Sequence, residues 1–131
     1  MNLTVAIAGL GCFLLAFGHV TIGLRWLLPN LTKGSLPSTP LGPPSMTLGM
    51  VRFAWHLVGV VLVGFGILFM ALAVAPDADP KTLLLRWFAA LWLAATALAC
   101  WPARRRPRSL LRFPVPLVFL VIAAMCWTAS T

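Results

Sequence analysis

The stretch Thr47–Val74, TLGMVRFAWHLVGVVLVGFGILFMALAV, holds two ionisable side chains, Arg52 and His56, in an otherwise almost wholly apolar or small-residue run. A helix needs roughly 20 such residues to cross about 30 Å of hydrocarbon, and in lipid it satisfies its own backbone polar groups. The stretch therefore predicts a membrane-spanning helix. The rest of the chain follows the same logic, because it is 61% hydrophobic and 9% charged, with Asp77 and Asp79 as its only acids, whereas soluble domains carry about 25% charged residues. The expected fold is all-α, a single integral membrane domain over 1–131, built as an up-down four-helix bundle.

Proline and polar residues mark where the spans end. The first is expected over about 3–28, closed by Pro29, since a proline ring cannot continue a helix and pushes its predecessor from helical angles. The second is expected over about 47–74, with Thr47 as N-cap and Pro76 beyond its end. A third covers about 82–101, closed by Pro102. The fourth covers about 113–130, with Pro114 and Pro116 in its first turn. Loops are expected at 29–46, rich in proline and glycine, with Leu31, Leu36 and Leu41 able to lie against the membrane, and at 102–112.

Lysine and arginine orient the spans. Arg25, Lys33 and Arg52 border or occupy the long loop, and Arg104, Arg105, Arg106, Arg108 and Arg112 fill the third connection. Both connections fall on one side of a four-span chain. The other side has Lys81 and Arg86, so the positive-inside rule predicts cytoplasmic loops and both termini outside. Trp26, Trp87, Trp101 and Trp127 fall near span ends, where amphipathic rings sit at headgroup level. The formal charge of +8 is read as topology and contact with anionic lipid, not as nucleic-acid binding, because no soluble basic face interleaved with aromatics exists. The run Arg104, Arg105, Arg106 and Arg108 is the expected anion or lipid contact.

Met1 to Leu27 lacks the basic start and small-residue cleavage site of a signal peptide and is expected to stay as the first helix. Composition suits a multi-pass protein of a bacterial inner membrane. Cys12, Cys100 and Cys126 are widely spaced in apolar sequence, which predicts small core residues and no disulfide framework.

His19 and His56 are the only histidines. The first lies eight positions before Leu27 and the second eight positions after Leu48, so both are expected about 12 Å in from the cytoplasmic helix ends. Gly9, Cys12, Ala16, His19, Gly23 and Trp26 share one helix face; Gly49, Arg52, His56, Gly59, Val63, Gly66 and Met70 share another. Small-residue faces pack against protein in membranes, which turns both histidines inward. Ionisable groups buried there are functional candidates. They equally suit a structural role, with an imidazole bonded to a carbonyl, to Thr21 or to the other histidine, while Arg25 and Arg52 snorkel to the headgroups.

Two cofactor readings stay open beside the structural one. Haem b could take His19 and His56 as axial ligands with Arg25 and Arg52 on its propionates, provided the two helices stand farther apart than the usual 8–10 Å. Alternatively the four residues could bind a quinone or a lipid headgroup, with Trp55 at the pocket edge. A bare metal site is not expected, since carboxylates are missing and Cys12 lies two turns from His19. No pair of cysteines two residues apart, span carboxylate, Ser-His-acid set or phosphate loop is present, which argues against thiol redox chemistry, proton-driven export and catalysis by this chain alone.

The segment His19-Val20-Thr21-Ile22-Gly23 with Arg25, together with Val51-Arg52-Phe53-Ala54-Trp55-His56-Leu57, resembles a pattern in small uncharacterised bacterial four-span membrane proteins. There a histidine and glycine end span one, and an arginine precedes Trp-His in span two. The resemblance implies that His19, Arg52, Trp55 and His56 matter and implies no activity. The expected function is that of a small non-catalytic membrane protein, an accessory subunit or binding module of a membrane assembly. The alternatives are a redox module carrying haem b or quinone, and a homo-oligomeric small transporter or lipid-binding protein.

Overall fold

The computed structural model describes residues 1–32, 34, 36, 38, 42–101 and 115–131. Among these the chain is helical without strands: α1 Leu3–Ile22, continued by a π-helical turn Gly23–Leu27, then α2 Pro44–Val74, α3 Asp79–Cys100 and α4 Val115–Thr128. Three of them, Leu3–Leu27, Pro44–Val74 and Asp79–Cys100, are long and apolar enough to cross a membrane. The fourth is apolar but has 14 residues, about 21 Å of helix, so it falls short of the expected full span over the described residues. Phe113, Pro114 and the arginine run 104–108 with Arg112 lie outside the described residues, as do Lys33 and Leu41.

Helix starts differ from expectation for a common reason. Both α2 and α3 begin about a turn early, at Pro44 and Asp79, with Pro80 at the head of α3. Proline fixes φ near the helical value and lacks the N–H that a first turn would leave unsatisfied. Thr47 therefore sits inside α2 and is not its cap; its N–H donates to Pro43 O at 3.3 Å. Gly42, at φ +149°, turns the chain into Pro43 and Pro44 through backbone angles that side-chain-bearing residues rarely adopt.

The chain forms two compact units, one from Met1–Gly11 with Ile67–Thr131 and the other from Cys12–Gly66. In the first, Val5, Ala8, Phe69, Ala73, Leu85, Phe88, Ala89, Trp92, Ile122, Ala123 and Cys126 are buried. Phe69 meets Phe88 edge-on with centroids 5.2 Å apart, and Trp92 meets Phe119 at 5.1 Å, spacings at which aromatic pairs add to the area they bury. Asn2 caps α1, its Oδ1 accepting from Val5 N–H at 3.2 Å, while its own N–H donates to Ala73 O at 2.7 Å. Lys81, only 7% exposed, donates from Nζ to Ala75 O just past the end of α2 and to Asp77 Oδ1. An ammonium beside the last carbonyls of a helix is favoured by the macrodipole.

In the second unit, 12–28 and 44–66 run antiparallel, as their contacts show. A Cβ built on Gly66 would lie 2.7 Å from Phe13 Cε1, and one on Gly59 2.9 Å from Val20 Cγ2. Large residues seven apart on one helix thus seat against glycines seven apart on the other, the repeat of left-handed helix pairs. This register corrects the inward stripe expected for α2. Leu48, Gly59, Leu62, Gly66, Phe69 and Ala73 are buried and Trp55 half-buried, whereas Gly49, Arg52, His56, Val63 and Met70 are exposed. Gly59 and Gly66 border both stripes, so small residues alone do not choose between them. The choice falls to the larger side chains. On α1, Gly9, Cys12, Ala16 and Gly23 are buried as expected, but Trp26 is exposed. Cys12 and Cys126 are buried and Cys100 is half-buried.

Candidate functional site

Trp55, not His56, meets His19. The His19 imidazole and the Trp55 indole stack with centroids 4.1 Å apart and planes 10° from parallel. Two hydrogen bonds close the contact. His19 Nε2 lies 3.0 Å from Trp55 O, and Trp55 Nε1 donates to His19 O at 3.1 Å. Because a carbonyl only accepts, Nε2 is the donor in this bond. Each residue thus gives its side-chain donor to the other's backbone.

Helix α1 makes room for this clasp. A Cβ on Gly23 would overlap the Trp55 ring at Nε1 and Cδ1, so a glycine is required there for the indole to approach. At the same residue the helix changes pitch: Leu28 N–H reaches back five residues to Gly23 O at 2.8 Å. The flanking residues keep ordinary helical angles, with φ, ψ of −62°, −43° at Ile22 and −65°, −36° at Leu28. The π-helical turn is therefore a local widening within a continuous helix, a feature that recurs at functional sites.

The other expected site residues are not drawn into the clasp. His56 follows Trp55 by one position and is exposed, so the expectation that both histidines face inward fails for His56. A residue step of about 100° cannot keep two neighbours on one face. Arg52 is exposed as well, and its spacing of four from His56 puts both on one side of α2. Arg25 is exposed and lies two residues past Gly23, on the side of its helix turned away from α2. Among the described residues, no group of three or more His, Cys, Asp or Glu side chains gathers as a metal site.

Chemically the arrangement holds two helices at close range and consumes the polar groups that do so. The Nε2 of His19 is committed to a carbonyl, and ligation of iron by this nitrogen would require the stack and the bond to break. What the sequence left open was the partner of His19. Gly23, one turn after His19, and Trp55, an indole with an N–H donor between Arg52 and His56, were the signals that could have named it.

Comparison of the chain with protein-family models, with curated proteins and with solved structures returns no match.

Proposed function

We propose that the chain is a small, non-catalytic integral membrane protein, an accessory subunit or binding module of a larger assembly in a bacterial inner membrane. In this reading the helices alternate up and down, the loops at 29–46 and 102–112 face the cytoplasm, and both termini lie outside. The observation that carries it is the reciprocal clasp: His19 Nε2 on Trp55 O and Trp55 Nε1 on His19 O. His19 Nε2 and Trp55 Nε1 are both spent on joining two helices. Their value is structural, with measured interhelical bonds averaging about 0.6 kcal/mol and ring stacking adding about 0.5–1.5 kcal/mol.

Of the residues that the resemblance to small uncharacterised four-span proteins singles out, His19 and Trp55 meet, while Arg52 and His56 are exposed. With the polar groups consumed inside, lateral surface remains for docking. Phe53, Leu57, Val60 and Ile67 are exposed along α2. The test is a mild solubilisation of the full chain carrying a photo-crosslinker at Phe53 or Val60, with an absorption spectrum of the same preparation. The expected result is a colourless chain crosslinked at fixed stoichiometry to another membrane protein. A Soret band that vanishes in both His19→Ala and His56→Ala would overturn the reading in favour of a haem-bearing redox module.

A further inference from the structure

The polar groups that the clasp does not use are Arg52 and His56, and they share one side of α2. They are four residues apart within Pro44–Val74, a spacing that stacks side chains one turn above another. Both are exposed. Gly49, one turn before Arg52, is exposed too, and a Cβ there would meet nothing within 4 Å, so the surface beneath the guanidinium is open.

Depth and charge say what fits there. Counting back about 20 residues from Val74 uses up the roughly 30 Å of hydrocarbon and reaches Trp55. His56 then stands at the edge of the apolar layer and Arg52 one turn beyond it, at the level of lipid headgroups. No acid exists between Cys12 and Gly66, and both acids of the chain, Asp77 and Asp79, follow the far end of α2. Asp77 is already paired with Lys81 at 2.8 Å. The counter-charge of Arg52 must come from outside the chain.

We propose that Arg52 and His56 bind the phosphate of an anionic phospholipid of the phosphatidylglycerol type. The guanidinium presents a planar fork of N–H donors to two phosphate oxygens, and the imidazole adds one N–H from the turn above. The proposal is independent of any protein partner and rests only on the membrane placement of α2.

The test is native mass spectrometry of the full chain in mild detergent, titrated in parallel with phosphatidylglycerol and phosphatidylcholine. Phosphatidylglycerol should be retained in preference. The double variant R52Q/H56Q should lower its bound fraction about fivefold, whereas R86Q, on α3, should leave it within about twofold. A bound fraction equal in wild type and double variant overturns the proposal. Displacement by inorganic phosphate at lipid-matched concentration would mark a free-anion site and overturn the commitment to lipid. Loss of a co-purifying protein with lipid binding intact would assign the patch to a partner's carboxylate and overturn it as well. Neither side chain is packed in the fold, so helicity by circular dichroism should be unchanged. If the double variant loses helicity, Arg52→Lys carries the test, since it keeps the charge and loses the fork. Its bound fraction should fall about twofold, and no fall overturns the proposal.

Discussion

Gly23 and Trp55 decide how closely the first two helices meet, and a methyl group is enough to show it. In Gly23→Ala the new carbon overlaps the indole, and the indole cannot retreat without giving up its bond to His19 O and the stack. Gly59→Ala meets only Cγ2 of Val20 at 2.9 Å, where a shift of a few tenths of an ångström relieves the contact. Overpacking of this kind costs about 1–3 kcal/mol. Gly23→Ala should fall at the upper end and Gly59→Ala at the lower, measured as paired unfolding midpoints in the same bicelles. Equal losses would contradict the wedge. The sequence offers His19 a carbonyl, Thr21 or His56 as partners, and the structure selects a carbonyl, that of Trp55. The choice among them depends on helix rotation, and the glycines at 59 and 66 serve two rotations alike.

The turn from α2 into α3 is held by one buried cation. Lys81 ties Ala75 O, just past the end of α2, to the first turn of α3 and neutralises Asp77. Lys81→Met should destabilise by about 1–2 kcal/mol, because the carbonyl loses a charge-assisted bond in a site that admits little water; thermal unfolding of the reconstituted chain reads it. Asp77 itself is fully exposed, and the hydrogen bond from Lys81, followed by the lysine's charge, holds its carboxyl below the usual value. A carboxyl lowered by folding contributes stability above its unfolded pKa, near 3.9, and loses it as pH falls through the folded value. An acid titration followed by the Asp77 carboxyl resonance should therefore show its midpoint below the ordinary aspartate value near 3.9, and Lys81→Met should move it upward. On the sequence Lys81 reads only as a topology charge. Its capping role was hidden because the elements it joins meet through a turn whose shape no local pattern specifies.

Across the whole molecule the charge bias makes a prediction that needs no side-chain detail. Lys81 is paired with Asp77, which leaves Arg86 as the one unneutralised base among the described residues between α2 and the middle of α3. The positive-inside rule counts lysines and arginines near span ends, and in the proposed orientation the arginine-bearing connections are cytoplasmic. Reporter fusions active only in the cytoplasm should light up within 29–46 and 102–112 and stay dark at 75–80; the reverse pattern would invert the proposed orientation. Of the fold, helical character and three helices long and apolar enough to cross a membrane were legible from the chain, because hydropathy and proline act locally. So was the buried face of α1, which small residues define without a competitor. The start of α2 at Pro44, the inward turn of Trp55 in place of His56, the π-helical widening at Gly23 and the buried Lys81 were decided only in three dimensions. Each depends on which surfaces interdigitate, and interdigitation is a property of two helices at once: the period of one helix names its possible faces, and the shape of its neighbour selects among them.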